Sequence, residues 1–211
     1  MSLLPSSFYT RTDVVQIAKD LLGKYLVSTT DGLTTAGMIV ETEAYRAPDD
    51  KGCHAYQNKL TDRTSTMFAI GGTSYVYICY GIHNLFNVVT GPKGVAHAVL
   101  VRAVEPVEGL EYMMERRKLT VVKKEMVNGP GKFTRAMNIT KSQNNISLLS
   151  KANSLWLESR GTIITKSDIV VSPRVGMGVS VAECSNWPWR FRIRDNKWTS
   201  KPDHVYYRPH A

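Results

Sequence analysis

Cysteine is scarce in this chain. Cys53, Cys79 and Cys184 are widely spaced and form no Cys-x-x-Cys pair, which argues against a disulfide framework and a zinc cluster and for a reducing compartment. Long apolar runs are missing, and residues 1–7 carry no basic n-region, so neither a membrane span nor a secretory leader is expected. Acidic residues are few: 18 Asp and Glu against 27 Lys and Arg leave a formal charge of +9 and a pI near 9.5. That balance favours a polyanionic partner such as nucleic acid, with an anionic membrane surface as the lesser option. There is no His-Glu-x-x-His, no His-x-Glu with Pro-Cys-x-x-Cys and no Gly-x-Ser-x-Gly, which weakens metalloprotease, zinc deaminase and serine hydrolase chemistry. The Gly-x-Gly pairs lack a dinucleotide-site context, and Asn128-Gly129-Pro130-Gly131-Lys132 is not a Walker loop because Phe133 stands where Ser or Thr is needed. No cofactor and no metal is called for.

What is present gathers between residues 38 and 87. Met38-Ile39-Val40 runs into Glu41-Thr42-Glu43-Ala44-Tyr45; a lone His54 follows in a polar loop; Tyr75-Val76-Tyr77 leads to Tyr80-Gly81-Ile82-His83 and on to Asn87. Strand alternation puts Glu41, Glu43 and Tyr45 on one face and Val40, Thr42 and Ala44 on the other. Such carboxylates can be plain edge charges on a solvent-facing strand. The apolar run before them argues instead for a strand entering a core, where a carboxylate is a candidate general base. Tyr75 and Tyr77 share a face, and an aromatic-rich sheet packing on itself is the ordinary reading. Tyr80 is out of step with them, and Gly81 marks a tight turn that leaves Tyr80 near solvent. His54, more often structural in such a setting, is of interest because its loop leaves the Glu43 strand.

The rest of the chain supplies a frame. Residues 1–9 read as an arm lying on the body, and Asp13 or Thr12 caps a helix carrying Val14, Ile17, Ala18 and Leu21 that stops at Gly23. Strands are expected at 25–29 and 33–45 around an Asp31-Gly32 turn, and at 96–104 with Arg102 near its end. Glu105-Pro106-Val107-Glu108 reads as a helix start, and the helix ends in a basic run at 116–124 that is either a solvated face or a DNA patch. A short helix is expected at 133–137, with strands at 155–158 and 163–169. Residues 187–194 alternate aromatic or aliphatic residues with arginine, as a strand with one buried and one basic face would. Residues 201–211 show no periodicity. No internal repeat or long linker divides residues 1–211, so one domain is expected.

From the residues alone two functions stand: hydrolysis of a glycosidic or N-glycosidic bond by a carboxylate beside aromatic walls, or non-catalytic nucleic-acid binding with tyrosines stacking bases. Val40-Glu41-Thr42-Glu43-Ala44-Tyr45, His54, Tyr75-Val76-Tyr77-x-x-Tyr80-Gly81, Asn87, the 99–109 segment, Gly129-Pro130-Gly131-Lys132 and Arg174-Val175-Gly176-Met177-Gly178 resemble, in one order, the alkyladenine (3-methyladenine) DNA glycosylase family. The resemblance implies a mixed α/β (α+β) domain with a curved, mainly antiparallel sheet, flanking helices and a protruding β-hairpin. It implies an enzyme that excises alkylated and deaminated purines from damaged double-stranded DNA, expected to be a monomer; with the reducing compartment and the missing leader, an intracellular place with the DNA, nucleoid or nucleus, is expected. On the matching positions Glu43 is the general base and Arg102 lies near the catalytic water, while Glu41 is structural. Tyr45, His54 and Tyr77 enclose the extruded base, and Asn87 crowds the place of guanine's exocyclic amine. Tyr80 with Ile82 enters the duplex, and Thr61, Arg63 and Lys132 approach backbone phosphates. His83 stands where an aromatic neighbour of the wedge is expected, and the extended N-terminal tail of vertebrate relatives is lacking.

Overall fold

In the computed structural model, which describes residues 1–178 and 181–200, one long strand organises the molecule. This strand, β3 (Leu33–Arg46), follows β2 (Tyr25–Thr30) through the Asp31-Gly32 turn, where both residues take positive φ as a tight hairpin demands. The sheet is completed by β1 (Ser2–Leu3), β4 (Ser74–Cys79), β5 (His83–Thr90), β6 (His97–Glu108), β7 (Leu155–Ser159), β8 (Ile169–Ser172) and β9 (Arg190–Ile193). The order is β1-β7-β2-β3-β6-β5-β4, and every pairing is antiparallel. Beyond Met38 the edge of β3 that served β2 is taken over by β9, with Glu41 opposite Arg192 and Glu43 opposite Arg190. The result is a curled sheet in a mixed α/β fold.

Helix α1 (Ser6–Tyr9) belongs to the N-terminal arm, which lies on the body as expected: Tyr9 is buried and β1 pairs with β7. Asp13 caps α2 (Val14–Asp20) by accepting from the Gln16 N–H, and Val14, Ile17 and Ala18 are buried. The Ala18 carbonyl accepts from Thr42 Oγ1 at 2.8 Å, so α2 lies against the Val40-Thr42-Ala44 face of β3. That contact frees the other face, with Glu41, Glu43 and Tyr45, for something other than the main core.

Three sequence expectations fail for local reasons. Glu105-Pro106-Val107-Glu108 does not start a helix: it continues β6 against Ala36–Met38, with Pro106 beside the register shift at Val107, the kind of irregularity that admits a proline into a strand. Gly109, at φ 70°, then turns the chain into α3 (Leu110–Arg117). Residues 163–168 are not strand, because the Thr165 and Asp168 side chains capture backbone and hydroxyl groups in a 3-10 turn and β8 begins only at Ile169. The basic face expected at 187–194 reaches the surface only at Arg194, since Arg190 and Arg192 are buried on either side of Phe191. Helix α4 (Pro130–Ala136) starts three residues earlier than foreseen, with Pro at its first position, and α5 (Ala182–Ser185) was not foreseen. Residues 201–211 lie outside the described residues.

Candidate active site

A pair of irregularities in the β3–β6 ladder builds the site. The pairing runs Ile39 to Val104, Glu41 to Ala103 and Thr42 to Val101, so Val40 is an extra residue on one strand and Arg102 on the other. Bulges re-aim side chains. Here they place the Arg102 guanidinium between two carboxylates, Nε 2.9 Å from Glu41 Oε1 and Nη1 3.3 Å from Glu43 Oε1.

The two acids are held differently. Glu41 accepts from Arg102 Nε, Arg190 Nε, the Ser200 N–H at 2.7 Å and Ser200 Oγ at 2.8 Å. Burial pushes its carboxyl up, but Arg102, Arg190 and the Ser200 bonds outweigh that and hold it below the ordinary range. Glu43 Oε1 accepts from the Val175 N–H at 2.7 Å, and Oε2 accepts from the Tyr45 hydroxyl at 2.9 Å. Arg102, lowered by burial but raised more by Glu43 and Glu41, is held firmly charged.

Above them opens a cleft of about 890 Å³. It is lined by nine of the eleven residues singled out in the sequence, Tyr45, His54, Arg63, Tyr77, Tyr80, Ile82, Asn87, Arg102 and Lys132. Thr61 is not among them: it is exposed and bonded to Thr64 in the loop after His54. Nor is Glu43, which is fully buried and meets the cleft through Tyr45, Arg102 and Val175, all of which line it.

The ring wall is tightly knit. Tyr75 and Tyr77 lie 5.4 Å apart, centroid to centroid, and the His54 ring stands edge-on to Tyr77 at 4.6 Å. Arg63 Nη2 donates to His54 Nε2 at 3.1 Å, so the ring proton sits on Nδ1 and is donated to the Tyr75 hydroxyl at 2.9 Å. Partial loss of solvent around the ring, in a residue that is otherwise exposed, and the charge of Arg63 lower the His54 pKa to about 4, leaving a neutral imidazole at pH 7. Burial pushes Tyr75 up to about 12 and raises Tyr77 as well. Arg63 also lies 5.0 Å over the Tyr77 ring, so in this structure it belongs to the cleft wall. Asn87 Nδ2 donates to the Tyr75 carbonyl at 3.0 Å, which fixes the orientation of its amide.

Sequence reasoning missed the supports. Arg174, buried, bonds both oxygens of Asp50 and the Ala44 carbonyl, and its guanidinium lies 4.6 Å from the Tyr45 ring. It therefore ties the Asp50 loop to the residue before Val175, behind one wall of the cleft. Arg190 belongs to the basic face expected of 187–194 but turns inward to Glu41; its alternation with Trp189 and Phe191 is the available signal, and two acids on β3 in need of cations give its meaning. Ser200 carried no signal. Among the described residues no group of three or more His, Cys, Asp or Glu side chains comes together.

Against known proteins, the sequence profile described as methylpurine-DNA glycosylase matches residues 7–197. The chain belongs to that family. A relative from Chlamydia felis, provisionally named 3-methyladenine DNA glycosylase, is 43% identical over 196 residues, covering 92% of this chain and 98% of its own. A Bacillus cytotoxicus protein with the same provisional name is 40% identical over 205 residues, covering 93% and 98%. As a member of the methylpurine-DNA glycosylase family the protein is a hydrolase acting on N-glycosyl bonds in DNA, and the reading as a non-catalytic binder is set aside. Among the described residues no helix is long and apolar enough to cross a membrane.

Proposed function

We propose that this glycosylase releases alkylated and deaminated purines, among them 3-methyladenine, 7-methylguanine, hypoxanthine and ethenoadenine, from nucleotides turned out of damaged double-stranded DNA. The observation that carries the reading is the Glu43 carboxylate, held by a main-chain N–H, an arginine and a tyrosine hydroxyl under a cleft walled by rings. Glu43 accepts a proton from a water whose oxygen attacks C1′; the bond from C1′ to the purine nitrogen breaks and its electron pair leaves with the base. Because Glu43 Oε2 is closed off by the Tyr45 hydroxyl, entry of the nucleotide must move that hydroxyl aside for the water. No lysine stands in the motif to form an imine with the sugar, so the product is an abasic site in an unbroken strand.

Turning the base out costs a few kcal/mol, least for a damaged pair, and stacking on aromatic walls returns roughly 1–3 kcal/mol per base, so Tyr45, His54 and Tyr77 offset the extrusion. Tyr80 and Ile82, 89% and 74% exposed at the turn between β4 and β5, fill the gap left in the helix. Asn87 crowds guanine's exocyclic amine, Arg102 orients the water, and Thr61, Arg63 and Lys132 meet phosphates; for Arg63 this requires leaving the Tyr77 ring. The enzyme works as a monomer, inside the cell with the DNA. Chromatography of the products from duplexes with one defined lesion each tests the whole: free purine and intact strands are expected, and strand cleavage or no free base from any lesion would reject it.

A further inference from the structure

The cleft does not end at the rings. It continues along the foot of the Tyr80–Ile82 turn, where α4 packs: Thr134 Oγ1 donates to the Asn84 carbonyl at 2.7 Å, and a side chain at Gly131 would collide with His83 at 2.9 Å. This end is lined by Arg117, Lys132 and Arg135. The two arginines come from the last turns of α3 and α4, which are cross-tied: Arg116 Nη1 donates to the Ala136 carbonyl and Arg135 Nε to the Arg116 carbonyl. Arg117 Nη2 donates to the Glu125 carbonyl. A guanidinium has five N–H donors. One bond each leaves most of them available, and Arg117 Nε is shielded from solvent with no acceptor at all.

Charge points the same way as the unused donors. Ten ion pairs occur among the described residues, and none includes Arg117, Lys132 or Arg135, although Glu115 and Glu125 are close in sequence. Burial and the charge of Arg135 both make the ionised form of Arg117 less favourable, as expected of like charges brought together without a counter-ion. Helix C-termini welcome cations, which accounts for the carbonyl bonds but not for two guanidiniums converging on a cleft. Of the basic run at 116–124, only Arg117 lines the cleft; Lys118, Lys123 and Lys124 do not.

We propose that Arg117 and Arg135 together clasp one backbone phosphodiester of the duplex, beside the point where the Tyr80 turn enters. The inference rests on the proposed action on duplex DNA and adds a phosphate site on the α3–α4 side of the turn. An anion there supplies an acceptor to the shielded Nε and relieves the repulsion between the arginines.

The test is binding of a duplex with a stable abasic mimic, measured against salt, for the wild type and the Arg117→Gln/Arg135→Gln double variant. The log–log slope is expected to flatten by about 0.9, the value for one phosphate. In a scan placing one neutral methylphosphonate at a time, one of the linkages that weaken the wild type, beside the Tyr80 turn, should leave the double variant unaffected. The Lys/Lys double variant, which keeps the charge, should keep the slope. Should the Gln/Gln protein not fold, Arg135→Gln alone, at an exposed position, serves in the same scan. An unchanged slope and an unchanged scan in a folded variant would overturn the clasp even if base release is normal. Absence of free base from the wild type would instead reject the proposed function.

Discussion

Glu41 and Glu43 lie two residues apart, on one face of one strand, both fully buried and both on Arg102, yet their surroundings differ in kind. The Glu41 end has two arginines and two donors from Ser200, all from buried or part-buried elements of the same body. The Glu43 end has one longer contact to Arg102, one main-chain N–H and one hydroxyl from a ring that lines the cleft. A carboxylate can be an anchor or a reagent, and what decides is whether any of its partners can leave. At Glu41 the two buried strand arginines cannot without breaking the sheet that carries them; at Glu43 the tyrosine can, since its ring lines the cleft.

Exchanging each acid for its amide puts the largest strain on that contrast. Glu43→Gln should cut base release by about 100- to 10,000-fold, the span of a lost general base, while affinity for a duplex with an abasic mimic stays within a few-fold. Single-turnover release and binding measured on one preparation decide it, and release within a few-fold of wild type would remove Glu43 from the mechanism. Glu41→Gln should act on stability instead. It leaves Arg102 and Arg190 buried without their shared counter-charge, at a cost on the order of 3–5 kcal/mol seen as a lower midpoint in urea. Because the Glu41 pKa is held below its unfolded value, its ionised form stabilises the fold above the ordinary carboxylate range, and that contribution is lost as pH falls through the depressed value. Acid unfolding should therefore depend less steeply on pH in Glu41→Gln. A Glu41→Gln protein as stable as wild type but equally dead would abolish the distinction between the two ends.

The same contrast recurs between the buried floor and the exposed turn. Tyr80 is 89% exposed, so Tyr80→Ser should leave the urea midpoint unchanged and lower excision roughly tenfold, within the ~1–3 kcal/mol that a stacking contact contributes. A changed midpoint, or unchanged excision, would contradict a side chain working only inside DNA. At the cleft wall the expected effect is smaller and electrostatic. His54 should titrate near pH 4 by nuclear magnetic resonance, and Arg63→Gln should raise that value only part of the way to 6.5, because loss of solvent around the ring is the larger cause and the cation the smaller. A wild-type value near 6.5 would contradict the packing of the ring against the cleft wall, and an unchanged value in Arg63→Gln would contradict the Arg63 contact to His54.

How much of this could be read from the chain alone follows one dividing line. Side chains whose position depends on local geometry were legible: alternation along β3 gave the shared face of Glu41, Glu43 and Tyr45, and Tyr80 falling out of step marked the turn, where φ is indeed positive. The Asp13 cap and the Asp31-Gly32 turn are likewise local. Partners brought from afar were not legible. Arg190, 149 residues from Glu41, looked like surface charge because an arginine alternating with aromatics has the same pattern whether it faces water or a buried acid. The Val175 N–H and the Ser200 donors belong to backbone or to a small polar residue, which carry no periodic signature. Pro106 misled for a related reason, since a proline after an acid suggests a helix start unless the bulge that admits it into a strand is known.

The finest test concerns the one partner that must move. Tyr45→Phe keeps the ring in the cleft wall and takes away the hydroxyl on Glu43 Oε2. If that hydroxyl were needed to position the carboxylate, release would fall by an amount comparable to the loss of a charged hydrogen bond, about 1.5–3 kcal/mol or roughly 10- to 150-fold. Glu43 keeps the Val175 N–H and Arg102 on its other oxygen, so orientation survives, and under the proposed mechanism the freed Oε2 is where the attacking water binds. The expected change in single-turnover release is therefore within about threefold of wild type, in either direction, with binding of the abasic mimic unaltered. A loss of the larger size would mean that Tyr45 is part of the anchor after all, and that Glu43 is held as rigidly as its neighbour.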